Sequence, residues 1–237
     1  MNKHILNQYF EKIFCIVRSD QLEHKYKMQE RFDKLGIKAE FYYGQPISIY
    51  NVLKKGLNCL NDKNIFCDSS NRIAATLSHL NIIQRAKNEG WRNVFIFEHQ
   101  NMFRKDFNEQ IEKYINTIPT DYDVVYLYCN FYEWCEHNQV IVDDLWFSPY
   151  YTVHNNAYGI NSKFYDEILN QYYNNFFVID QMTRIMQLNT KYKFIAALPN
   201  LCAQEIQIEG CGEDINYYVN VFDYNPNFAG KTVDDFF

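Results

Sequence analysis

The segment Val94-Phe95-Ile96-Phe97-Glu98-His99-Gln100 constrains this chain more than any other. A short, wholly apolar run reads as a buried parallel strand covered by helices on both faces. It stops at a carboxylate, an imidazole and a carboxamide, and in open α/β sheets ligands bind beyond the carboxyl ends of the strands. The polar cluster therefore falls where chemistry is expected; the alternative is a loop that only returns the chain to solvent. Upstream, Ile73, Leu77, Leu80 and Ile83 recur at steps of three and four, the apolar stripe of a helix packed on a sheet. Gly90 then reads as a left-handed C-terminal cap, which completes a unit of helix, tight turn, buried strand and polar cluster.

Other segments supply the rest of such a fold. Lys12 to Val17 reads as a first strand, Gln21 to Lys34 as a charged helix, and Leu35-Gly36-Ile37 as the turn after it. Tyr122-Asp123-Val124-Val125-Tyr126-Leu127 and Asn155-Asn156-Ala157-Tyr158-Gly159-Ile160 read as further strands, and Val178-Ile179-Asp180 as the entry to a helix. In this order, over about residues 10–210, the segments resemble glycosyltransferase family 25, the lipopolysaccharide and collagen-galactosyl type. That family carries a Leu-Ser-His-Leu helix, a glycine cap, an apolar strand and then Glu-Asp-Asp; here the helix reads Leu77-Ser78-His79-Leu80 and the cluster Glu98-His99-Gln100. The resemblance implies a single α/β domain of the GT-A kind over residues 1–237, with a mostly parallel sheet and helices on both faces. Residues 211–237 form a C-terminal extension with no family counterpart, able to dock on the body or on a second subunit.

Bulk properties agree with an enzyme-sized α/β domain. The 237 residues contain no Pro/Gly/Ser-rich linker, and the net charge of −6 argues against a nucleic-acid backbone as partner, since phosphates call for clustered Lys and Arg. No apolar stretch approaches the roughly 18 residues of a membrane helix, and Met1 to Gln8 has no signal-peptide core. A soluble, cytoplasmic protein is expected. The seven cysteines form no CxxC pair, and Cys15 and Cys129 fall in or beside apolar strands, as free thiols do in a reducing compartment. A zinc site from Cys129, Cys135 and His137 has irregular spacing and is not expected.

Sugar transfer from a nucleotide donor must neutralise a departing diphosphate, usually with a carboxylate-bound divalent ion. The resemblance assigns that role to Glu98, His99 and Gln100, but two aspartates of the family pattern are replaced here. Three outcomes stand open: weak Mn²⁺ or Mg²⁺ binding, metal-free handling of the leaving group by cations and amides, or loss of transfer. The family's Asp-Arg pair on its first helix is replaced by Glu23-His24-Lys25. Lys25 and Arg18 are candidate substitutes, and Arg72, opening the Ser78-His79 helix, is the stronger phosphate candidate. Inverting transfer needs one general base, and Asp180 fits it, the alternative being a helix N-cap. Asn155 and Asn156 are expected beside the donor, His79 more in the core than in catalysis, and Tyr126, Tyr128, Phe131, Tyr132 and Trp134 as core residues with an aromatic acceptor platform among them. The expected function is hexose transfer, UDP-hexose being the first donor class, to a glycan or other hydroxyl acceptor. The competing reading is a binding module on the same scaffold without turnover.

Overall fold

In the computed structural model the described residues are 3–44, 70–130, 139–142, 145–175, 178–205 and 235–237. Phe131, Tyr132, Trp134, Cys135 and His137, and all but the last three residues of the extension, lie outside them.

Helix α1 (Ile5–Tyr9) leads into strand β1 (Lys12–Arg18), helix α2 (Leu22–Leu35) and strand β2 (Glu40–Gly44). Helix α3 (Ser70–Asn88) precedes β3 (Asn93–Glu98), β4 (Asn101–Phe103) and α4 (Phe107–Asn116). Strands β5 (Val124–Asn130), β6 (Gln139–Val142), β7 (Trp146–Ser148) and β8 (Val153–Asn161) follow. Helices α5 (Tyr165–Asn175) and α6 (Ile179–Met186) and strands β9 (Phe194–Ala197) and β10 (Cys202–Gln204) complete the set. Among the described residues the main sheet has the order β2-β1-β3-β8-β5-β9-β7-β6, and β4 pairs β10 in a separate ribbon. The pairings run β2, β1, β3, β5, β9 and β6 in one direction and only β8 and β7 against it. The sheet is thus mostly parallel, with an antiparallel strand wedged between β3 and β5.

Both faces are covered because the strands are apolar on both. Ile13, Cys15, Val17, Phe95 and Phe97 pack against Met28 and Phe32 of α2 and Phe107 and Ile111 of α4. The alternate residues Phe14, Ile16, Val94 and Ile96 pack against Leu80, Ile83 and Ala86 of α3, Ile168 of α5 and Met182 of α6. Gly90 takes φ +69° and closes α3, its N–H and that of Trp91 bonding back to Lys87 and Ala86, the cap expected from its position. Cys15, Cys129 and Cys202 are buried; burial pushes the Cys15 and Cys202 thiols well up, so these two behave as small apolar residues. No described helix is long and apolar enough to cross a membrane.

Two readings are narrowed. Tyr126 and Tyr128 are 1% and 4% exposed, so they are sheet core and offer no face to a saccharide. The end of the C-terminal extension docks on its own chain: Phe237 exchanges backbone hydrogen bonds with Phe103, Phe236 bridges Arg104, and the Phe236 ring is buried in the core.

Candidate functional site

Strands β1 and β3 are adjacent and parallel, and their carboxyl ends open between α2 on one face and α3 on the other. A cavity of about 400 Å³ forms there, lined by Arg18, Gly44, Arg72, Ala75, Ser78, Glu98, His99 and Gln100 among others. Gly44 permits the close approach of α3, since a Cβ at that position would lie 2.8 Å from the Ser78 hydroxyl. A second cavity of about 270 Å³ adjoins it and is lined by Arg72, Thr76, Glu98, Asn155, Asn156, Ile179, Asp180 and Gln204. Arg72, Ala75 and Glu98 belong to both walls, so the two form one cleft of a size usual for small-molecule sites, about 300–1,000 Å³. All seven residues singled out for donor binding or catalysis (Arg72, Glu98, His99, Gln100, Asn155, Asn156 and Asp180) line it. A larger cavity of about 450 Å³ sits by the amino ends of β5 and β9. Its charged groups Asp121 and Lys193 pair with each other, and no expected site residue reaches it.

Asp180 occupies the first turn of α6 but is not its cap. The N-cap is Val178, whose side chain cannot accept a hydrogen bond, and the acceptor for the buried Ile179 N–H is Thr76 Oγ1 on α3, at 3.1 Å. Asp180 is left to accept from its neighbour's Gln181 N–H at 2.9 Å and to face the Arg72 guanidinium at 3.7 Å, so the capping alternative falls away. Arg72 is 44% exposed at its side chain, within reach of an incoming anion. Of the other candidate phosphate ligands, Arg18 lines the cleft paired with Asp20, whereas Lys25 lies over the Phe41 and Tyr43 rings.

Glu98 and His99, consecutive at the end of β3, find partners on different helices. Glu98 Oε1 meets His79 Nε2 of α3 at 2.9 Å, and His79 Nδ1 meets the Tyr158 hydroxyl at 2.8 Å. The His99 ring stacks on His24 of α2, with centroids 4.6 Å apart; burial lowers its pKa, against the pull of the Glu98 charge. Gln100 Oε1 accepts from Gln204 Nε2 at 2.8 Å. A divalent ion needs several hard oxygens converging on one point, and this set offers one carboxylate already bonded to an imidazole nitrogen. Among the described residues no three His, Cys, Asp or Glu side chains converge on a common point. As placed, Glu98, His99 and Gln100 do not fit Mn²⁺ or Mg²⁺, and no chemical step below runs through a metal.

The two asparagines differ. Asn155 is buried and exchanges hydrogen bonds with Thr183 of α6, so it fastens α6 to β8. Asn156, 3% exposed, has an amide nitrogen without a hydrogen-bond partner among the described residues and lines the smaller cavity, a donor available to a ligand. Asn101 holds the floor, its amide donating to the backbone carbonyls of Glu98 (2.9 Å) and Asn156. Reading along the sequence missed Thr76 and Asn101 and left His79 in the core. His79 is indeed 0% exposed, yet it touches a cleft carboxylate.

No protein-family model matches the chain and no curated protein does, so the family 25 resemblance stands on its sequence motifs alone. Solved structures resemble it remotely. A glycosyltransferase involved in glycosylation of the major capsid of PBCV-1 aligns at 10% identity and TM-score 0.43, over 78% of this chain and 80% of that one. A protein described as a glucose-1-phosphate thymidylyltransferase from Bacillus anthracis, in complex with a sucrose, aligns at 8% identity and TM-score 0.38, over 81% and 89%. A197 from STIV aligns at 10% identity and TM-score 0.37, over 83% and 95%. Likenesses this distant leave the chemistry of the cleft to be argued from its own residues.

Proposed function

We propose that the cleft binds a nucleotide sugar, with UDP-hexose the first class to test, and transfers the hexose with inversion to a glycan or other hydroxyl acceptor. The observation that carries this reading is the Arg72–Asp180 pair, a cation and a carboxylate 3.7 Å apart where the two cavities meet. Transfer of this kind needs both charges in one cleft, on opposite faces of the anomeric carbon: positive for the departing diphosphate and negative for the acceptor proton. In a single displacement the acceptor oxygen bonds to the anomeric carbon as the bond to the diphosphate oxygen breaks. The hydroxyl proton passes to Asp180, and the diphosphate leaves with the electron pair. Arg72 offers a fork of donors to phosphate oxygens and, turning to them, frees Asp180 to accept the proton. Glu98 and Asn156, an acceptor and a donor, suit hydroxyls of the sugar ring. Metal-free handling of the leaving group is the branch favoured by the donor set.

The second reading, a binding module without turnover, is favoured by the same loss of acids at positions 99 and 100. Titration of UDP-, GDP- and CMP-sugars against melting temperature tests the reading, because a ligand that prefers the folded state raises the transition. A shift weakened in Glu98→Ala is expected. No shift with any nucleotide sugar up to millimolar concentration would refute donor binding.

A further inference from the structure

Tyr158 and His79 form a buried chain behind Glu98 that the transfer reading does not use. Tyr158 OH has no hydrogen-bond partner but His79 among the described residues. Burial pushes the phenol well above its ordinary range, with the Tyr126 and Glu98 charges adding to it, so the hydroxyl keeps its proton at neutral pH. A protonated phenol with one neighbour donates to that neighbour, which makes Nδ1 of His79 the bare nitrogen. The imidazole proton then sits on Nε2 and is given to Glu98 Oε1 at 2.9 Å. His79 itself is fully enclosed with both ring nitrogens engaged, and cannot meet a substrate. Glu98 lines both cavities and can.

We infer that His79 and Tyr158 are positioning residues: Tyr158 anchors the His79 ring through Nδ1, and His79, through Nε2–H, fixes the Glu98 carboxylate as a hydrogen-bond acceptor for the donor sugar. This rests on the nucleotide-sugar reading of the cleft. Replacing three metal-ready acids by one oriented carboxylate makes the orientation of that carboxylate the quantity that matters. A flexible glutamate at a strand end samples several rotamers, and one N–H from a rigid, buried ring selects among them.

The test uses two substitutions of similar size that separate the two ring nitrogens. In His79→Gln the amide nitrogen reaches the place of Nε2 and can still serve Glu98; in His79→Asn it reaches only the place of Nδ1. Both lose the ring, so their melting temperatures should fall alike. Donor affinity should stay near the wild-type value in His79→Gln and drop about tenfold in His79→Asn, the loss expected for one hydrogen bond to a charged partner. Imidazole ¹⁵N spectra of the full chain, with His79 identified by its disappearance in His79→Gln, should show the Nε2–H tautomer, and Tyr158→Phe should move the bare Nδ1 resonance by removing its donor while the proton stays on Nε2. Equal donor affinity in His79→Asn and wild type, or an Nδ1–H tautomer in the wild type, overturns the inference while the transfer reading survives. A wild type that binds no nucleotide sugar while retaining the Nε2–H tautomer refutes the transfer reading, and with it the role in donor binding.

Discussion

Thr76 and Asp180 meet at the start of α6 and should answer to different assays. Thr76 is 2% exposed, and its hydroxyl is the acceptor for the buried Ile179 N–H while donating to the Arg72 carbonyl at 2.9 Å. Thr76→Val keeps the volume and removes that acceptor, leaving a buried backbone donor without its partner. Such an orphan costs about 1–3 kcal/mol, which for a chain of this size lowers the melting temperature by several degrees. Thr76→Ser retains the hydroxyl and should recover most of the loss. Asp180→Asn removes only a charge in the first helical turn and a partly exposed pair with Arg72, together worth about 0.5–1 kcal/mol. Its effect should fall on chemistry, where loss of a positioned base costs about 10²–10⁴-fold in turnover. Urea denaturation and donor turnover on the same preparations separate the two. The reasoning is refuted if Asp180→Asn destabilises the fold as much as Thr76→Val and turns over normally.

Three further outcomes follow from other parts of the molecule. Donor binding should survive chelation with EDTA, and His99→Asp with Gln100→Asp should gain Mn²⁺ affinity by calorimetry through two added anionic oxygens; donor binding abolished by EDTA would show that the wild-type cluster holds a metal after all. Phe236→Ala should cost about 3 kcal/mol in urea denaturation, as for a large ring removed from a core, whereas a change near zero would mean the chain end does not pack on the body. Burial lowers the pKa values of His4 and His99 below their ordinary 6.5, so the unfolded chain takes up protons first as pH falls through 6.5. Stability contributed by these neutral rings is present above that pH and is lost below it, and His99→Phe, which keeps a ring against His24, should flatten part of that slope; an unchanged slope would remove His99 from it.

Much of the frame was legible because it depends on local pattern. The apolar runs of β1 and β3, the stripe of α3 and the glycine at position 90 each specify their element without help from distant residues. The end of β3 announced the cleft for the same reason: an apolar strand stopping at Glu98-His99-Gln100 can only open at its carboxyl end. Contacts across long stretches of chain were not legible. Val178-Ile179-Asp180 looks self-capping, and only folding brings Thr76, 103 positions earlier, to take that role. His79 reads as a core histidine until Tyr158 and Glu98 arrive on its two nitrogens. The phosphate candidate Lys25 could not be sorted from Arg72 by sequence, because the rings of Phe41 and Tyr43 come from elsewhere. The wedge of β8 between β3 and β5 was likewise hidden, since an apolar strand does not name its neighbours.

Release of nucleoside diphosphate from a nucleotide sugar, measured with a mixture of hydroxyl acceptors for wild type and Asp180→Asn, tests the central claim most directly. A transferase should release diphosphate over many turnovers, and the asparagine variant should bind the donor as well while releasing it about 10²-fold or more slowly. Donor binding without release in the wild type, or equal release by the two proteins, would contradict the account.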